Sequence, residues 1–330
     1  MSSEDEKLVQ SSADITANLV VAQDGTGNYS TISDAIKVVP NNSESRFIIY
    51  VKKGVYFENV KIGLDQWNVM MFGDGMNDTI VSGNLSNADG LGTTSTATFA
   101  VLGQGFIARD MGFANTAGPI KHQAVALLSA SDQSVFYRCR MDGYQDTLYV
   151  KSNRQLYREC HILGTIDFIF GNAATVIQNC TILAKRPLQG QSNAITAHSG
   201  TDPNCPTGIA IQICDIVPAE DLTGVRTYLG RLWKNYSTTV FMQNNMGISI
   251  SPEGWVSMAK AVGAPPPPDT IFLAEYDNRG PGANVADRVK WNGVRTNLSR
   301  AEADKYTVHS LISGDEWLPA TKVSFLSGLL

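Results

Sequence analysis

The 330-residue chain has only four histidines, scattered at positions 122, 161, 198 and 309, and no G-x-S-x-G accompanies them. A serine hydrolase is therefore not indicated. H-E-x-x-H and paired C-x-x-C are also missing, so the sequence offers no signal for a bound metal. Basic residues are in the minority. Lys and Arg number 26 against 31 Asp and Glu, which gives a formal charge of −5 and a pI near 5.4. Phosphate recognition needs clustered Lys and Arg, so nucleic acid is not the expected partner. No run of 18 apolar residues occurs, and no membrane span is expected. The opening MSSEDEKLVQ has no apolar h-region, so no signal peptide is expected in this chain. Gly25-Thr26-Gly27 lacks the third glycine of a dinucleotide loop and reads as a turn.

Helical periodicity is nearly absent between 40 and 250. One exception is Thr31–Val39, where Ile32, Ala35, Ile36 and Val39 share a face. Elsewhere short apolar runs such as RFIIYV, QAVALLSA, SVFYRC, QLYREC and TVIQNC alternate with Gly, Asn and Asp turns. Some of these runs repeat. Cys139-RMDGYQ-Asp146 and Cys160-HILGTI-Asp167 are the same frame 21 residues apart, and Cys180-TILAKR-Pro187 repeats it without the acid. Val135, Leu156 and Val176 keep one phase; Met141, Ile162 and Ile182 keep another. A period of about 20 residues with β-branched runs predicts an all-β solenoid. Residues 1–18 are read as a leader with a short helix, and 19–330 as one domain. The Pro265–Pro268 tract is expected in an exposed loop, and 295–330 as an extension packed along the coils.

Stacked coils bring equal offsets together. Strands in a sheet lie roughly 4.8 Å apart, so Asp146 and Asp167 are expected on adjacent coils, close enough to share a reaction centre. Gln123 and Gln145, 22 residues apart, would then place two amide donors beside the carboxylates, the outline of an oxyanion hole. YLGRLWK at 228–234 adds a cation next to an indole. The plainer readings are a pair of turn aspartates and a structural glutamine ladder. Equal phase also puts Cys139 and Cys160 within disulfide reach.

Taken in order, GVYFENV, HQAVAL, GYQDTLYV, GTIDFIFGNA and YLGRLWK resemble the plant pectin methylesterases, from about Asn18 to Leu330. The resemblance implies a right-handed parallel β-helix with its cleft on an outer face, acting on methyl-esterified homogalacturonan and releasing methanol. It implies Asp167 as nucleophile, Asp146 as general acid/base, Gln123 and Gln145 as oxyanion donors, and Arg231 as the residue orienting the nucleophile. Thr93, Gln123, Arg231 and Trp233 match substrate contacts, and Tyr149, Phe170 and Trp255 are expected to line the cleft. No metal or organic cofactor is required by this chemistry. By the same resemblance Cys180–Cys214 is the second expected bridge, leaving Cys205 free.

The resemblance further implies a secreted monomer of the plant cell wall and a small protein inhibitor as partner. Seven N-x-S/T sequons, at Asn28, Asn41, Asn77, Asn84, Asn179, Asn235 and Asn297, fit a glycoprotein. A non-catalytic pectin-binding relative and a lyase or polygalacturonase on the same polymer are the alternatives. The chain departs from the family pattern at Leu232, where proline is usual, and at TAHSGTDP (196–203), where the family has TAQGRTDP. It departs also at Thr94, where an aromatic is missing, and in the segment Met258–Asp269.

Overall fold

A computed structural model describes residues 15–248, 250–257 and 267–330. Its short strands pair in parallel and form one sheet of eleven strands and two of eight. Neighbours within a sheet are three strands apart along most of the chain, so each coil gives one strand to each sheet. The three sheets wrap a common core as a parallel β-helix.

The phase seen in the sequence is the register of the strands. Val135 pairs with Leu156 and Leu156 with Val176, while Met141, Ile162 and Ile182 align on the next sheet. The two columns are buried in different places. Met141, Ile162 and Ile182 fill the interior with Phe136, Tyr157 and Ile177. Val135, Leu156 and Val176 point the other way, into a second apolar cluster with Leu298, Val308, Ile312 and Trp317. Strands covered on both faces read as continuous apolar runs, which is why SVFYRC and TVIQNC show little alternation.

The cover is the C-terminal extension, with helices Arg300–Ala303, Val308–Ile312 and Gly314–Trp317. Its tail is fastened by glutamines from successive coils. Leu326 exchanges two hydrogen bonds with the Gln178 carboxamide, Gln212 Nε2 donates to Gly328 O, and Leu330 N–H donates to Gln243 Oε1. At the other end of the chain, helix Ile32–Lys37 is capped by Thr31 and buries Ile32, Ala35 and Ile36. The Glu58 carboxylate accepts the N–H groups of Ile32 and Ser33, two of the donors a helix start leaves unpaired. The expected leading helix falls mostly outside the described residues; Ile15–Asn18 are not helical. Of the proline tract, Pro267 and Pro268 are irregular, and the rest lies outside the described residues.

Seven successive coils turn a corner through one left-handed residue each. Asp110, Arg138, Glu159, Asn179, Ile213, Gln243 and Asp277 form this column, with φ between 48° and 57°. Asp and Asn tolerate that conformation; a β-branched residue does not. Ile213, half-buried at φ 55°, is the misfit. Ile213→Asn is expected to stabilise the fold by about 1 kcal/mol, because the strain released exceeds the packing lost. Thermal unfolding checks it, with a rise of roughly 2 °C; a lower midpoint would mean that the isoleucine's packing outweighs its strain.

The residues after this corner correct the expected disulfides. Cys139, Cys160, Cys180 and Cys214 are buried and, like exposed Cys205, carry free thiols; neither Cys139–Cys160 nor Cys180–Cys214 is formed. The four buried cysteines stack one on the next, and the sulfurs of Cys160, Cys180 and Cys214 are engaged with backbone groups of the adjoining coils. The thiols form a ladder instead. Cys160 N–H donates to Cys180 Sγ and Cys180 N–H to Cys214 Sγ, while the Cys160 and Cys214 thiols donate to Phe136 O and Ile177 O.

Candidate active site

Asp146 and Asp167 sit one coil apart at the start of strand Leu148–Val150 and inside strand Ile166–Gly171, which pair in register through Leu148 and Ile169. Both have positive φ, 63° and 49°. A carboxylate residue accepts this better than most, yet the conformation costs energy, and such strain collects where a side chain must be aimed. Asp146 N–H donates to Ile166 O at 3.0 Å, tying the two turns together. Each aspartate is 8% exposed.

Arg231 comes from strand Thr227–Leu232, two coils beyond Asp167. Its Nε lies 3.0 Å from Asp167 Oδ1 and 3.1 Å from Oδ2, and its Nη2 also donates to Oδ2. Such a two-pronged pair fixes orientation as well as charge. Asp146 has no such partner. Burial, the neighbouring charge of Asp167 and a smaller opposing effect of Arg231 place its carboxyl well above the ordinary carboxylate range. Burial also raises Asp167, but the hydrogen bonds and charge of Arg231 work against the rise. Two like groups are thus driven apart by their surroundings, with Asp146 the one that keeps a proton.

The glutamines arrive from two further turns. Gln123 follows the 3₁₀ turn Pro119–Lys121, through a strained His122 at φ 61°, ψ −140°. Gln145 immediately precedes Asp146, and its carbonyl accepts Ala124 N–H at 3.2 Å. Thr93 opens a 3₁₀ turn, Thr93–Thr96, held by Thr96 Oγ1 donating to Thr93 O at 2.7 Å. These residues surround a cavity of about 160 Å³ lined by Thr93, Gln123, Gln145, Asp146, Tyr149, Asp167, Phe170, Arg231 and Trp233. The aromatic wall is stacked. Tyr149 and Phe170 lie 4.3 Å apart between centroids, and Trp233 stands 6.2 Å from Phe170.

Nine of the ten residues expected at the site therefore line one cavity, and the tenth does not. Trp255 is 1% exposed, packed edge-on against Phe241 in the interior, where strand alternation turns it inward opposite Gly230. His198, in the segment that departs from the family pattern, is buried too. Its Nδ1 accepts Thr238 N–H at 2.9 Å and Gly200 N–H at 3.3 Å, and burial lowers its pKa to about 3, so it is a neutral structural residue. Leu232 packs into the core, and the Arg231 fork on Asp167 forms with leucine in proline's place.

Sequence reading missed the larger space beside this cavity. About 580 Å³ is lined by His122, Gln191, Asn193, Arg226 and Tyr228, and the two cavities share Gln145 and Arg231. Gln191 and Arg226 come from loops without periodic signal. Among the described residues, no group of three or more His, Cys, Asp or Glu is arranged to hold a metal ion. No helix among them is long and apolar enough to cross a membrane.

Comparison with known proteins agrees with this architecture. The family model described as Pectinesterase matches residues 18–315. The putative pectinesterase/pectinesterase inhibitor 24 of Arabidopsis thaliana is 58% identical over 313 residues, 95% of this chain and 55% of that protein. Pectinesterase 3 of Phaseolus vulgaris is 52% identical over 322 residues, 98% of this chain and 55% of its own length. The chain thus spans about half the length of the curated relatives it matches. Among solved structures, pectin methylesterase from carrot superposes with a TM-score of 0.92 at 46% identity, covering 97% of this chain and all of that one. The Aspergillus niger enzyme gives 0.79 at 31% identity, covering 94% and 97%.

Proposed function

The chain belongs to the pectinesterase family, and from that premise we infer that it hydrolyses the methyl esters of pectin, releasing methanol and leaving free carboxylates on homogalacturonan. One observation carries the reading: two buried carboxyls on adjacent coils, only one of them held by an arginine fork.

In this reading ionised Asp167 attacks the ester carbonyl carbon. Negative charge gathers on the carbonyl oxygen, where the Gln123 and Gln145 amides donate. The tetrahedral intermediate collapses as Asp146 gives its proton to the departing methoxide, forming methanol and an acyl–Asp167 anhydride. Asp146, now ionised, takes a proton from water. The resulting hydroxide attacks the acyl carbon, Asp167 leaves as a carboxylate beside Arg231, and the proton is back on Asp146. Thr93, Tyr149, Phe170 and Trp233 hold the sugar against the reacting carboxyls. No step calls for a cofactor.

The protein is further proposed to act as a secreted monomer in the plant cell wall, with residues 19–330 as one domain. The exposure of all seven sequon asparagines supports the glycoprotein part of this reading. A small protein inhibitor covering the cleft is the proposed partner; several relatives carry the words pectinesterase inhibitor in their own names.

Methanol release from methylated pectin tests the activity. Binding of the polymer without methanol would instead identify a non-catalytic relative. Arg231→Ala tests the division of labour. Without the guanidinium, the influences that lower Asp167's pKa are gone, and burial raises it further. Asp167 then ionises only at higher pH, so the acid limb of the rate profile moves upward. A limb that stayed in place would remove Arg231 from that role.

A further inference from the structure

The side chains of Gln145 and Asp146 make no hydrogen bond to any described residue; their positions are those of the backbone turn that carries them. Main-chain hydrogen bonds join that turn to its neighbouring coils and Arg140 pairs with Asp142 from within the same strand, while the side chain that reaches the turn from two coils away is that of Lys185. Its Nζ lies 3.0 Å from Asp142 Oδ1, donates to Gly143 O at 3.1 Å, and stands 3.7 Å from the centre of the Tyr144 ring. Asp142, Gly143 and Tyr144 are the three residues immediately before Gln145.

Lys185 is itself fixed at its main chain. Its N–H donates to Gly164 O at 2.8 Å, and its carbonyl accepts Asn193 Nδ2 at 3.0 Å. Gly164 stands three residues before Asp167. The lysine therefore spans two coils, joining the turn of Asp146 to the segment of Asp167. Its side chain is 16% exposed, so the tie is largely shielded from solvent, and it lines neither cavity.

We propose that Lys185 is a positioning residue: it sets the placement of Gln145 and Asp146 relative to Asp167 without touching substrate. The inference rests on the reading of these groups as the reacting ones. A displacement of about 1 Å at a reacting group can cost on the order of 10²-fold in rate, and of the two cations on Asp142 only Lys185 also bonds Gly143 and covers Tyr144, next to Gln145.

Lys185→Met keeps the aliphatic stem and removes the ammonium. Methanol release is expected to show kcat lowered roughly 10- to 100-fold, with KM changed by less than about twofold, since the walls that hold the sugar are untouched. Lys185→Arg is expected to recover most of the rate, because it restores a cation to Asp142 and Tyr144. Both limbs of the pH profile stay in place in Lys185→Met. A displaced alkaline limb would mean action through charge on Asp146 and would overturn the proposal. So would a folded Lys185→Met with wild-type kcat, or a loss carried by KM alone. Should that variant not fold, Asp142→Asn breaks the same pair from the other side, and an unchanged kcat there is equally decisive. Asp146→Asn is assayed in parallel. Normal turnover in it would fail the underlying reading, whereas loss in it with normal Lys185→Met turnover fails this inference alone.

Discussion

Replacing Asp167 by asparagine is expected to lower methanol release by about 10⁴-fold or more, in a protein that folds and still binds pectin. The amide has the carboxylate's shape and keeps an oxygen for Arg231 to donate to. It lacks the negative charge that makes a carboxylate oxygen nucleophilic enough to attack an ester. Structural disturbance is small because Asp167's backbone, with its positive φ, suits asparagine equally well. Retention on methylated pectin checks binding, since Tyr149, Phe170 and Trp233 are unaltered. Near-wild-type turnover in the folded variant would place the nucleophile elsewhere.

Asp146→Asn is expected to act in two directions at once. Turnover falls roughly 10²–10⁴-fold, because neither the leaving methoxide nor the attacking water has its proton carrier. Stability at neutral pH rises. Burial, foremost, holds the Asp146 carboxyl well above its ordinary range in the folded protein. Between that range and its raised value, the folded state binds more protons than the unfolded chain, so wild-type stability falls as pH rises through the window. An amide does not titrate and escapes the loss. The variant's advantage in thermal midpoint should be absent at acid pH, where the wild-type carboxyl is protonated in both states, and should grow as pH rises. Parallel pH–midpoint curves for the two proteins would refute burial of Asp146 as a source of instability.

What was legible in the sequence follows from how a solenoid is built. Stacked coils impose a constant offset, so Asp146 and Asp167, or Val135 and Leu156, reveal their alignment through spacing alone. The same regularity misled at the cysteines. Equal phase was the correct inference, but the stacked cysteines are free thiols hydrogen-bonded to backbone groups of the adjoining coils, and spacing alone does not separate that ladder from a bridge. Trp255 was misplaced because a three-residue strand is too short for alternation to show which parity faces in. His198 departs from the family pattern in a segment whose strand, Asn193–His198, is buried along its length. Lys185 was beyond sequence reading: its partners lie 41 to 43 residues away, across an intervening coil, and no periodicity encodes a side chain that reaches past its neighbour.

The glutamine-fastened tail has a consequence for how the molecule is made. During synthesis Gln178 waits 148 residues for its partner Leu326, Gln212 waits 116 for Gly328, and Gln243 waits 87 for Leu330. Coils stack on their predecessors as they emerge, because each needs only the one before it. Their outer column of Val135, Leu156, Val176, Ala210 and Val240 has no such early partner and stays uncovered until the helices that shield it have been translated. A half-made chain therefore displays an apolar parallel face at the stage when other nascent copies are nearest, and such faces drive misassembly. The interval over which that face stands open is the time needed to translate the stretch from Gln178 to Leu326, and it lengthens as elongation slows.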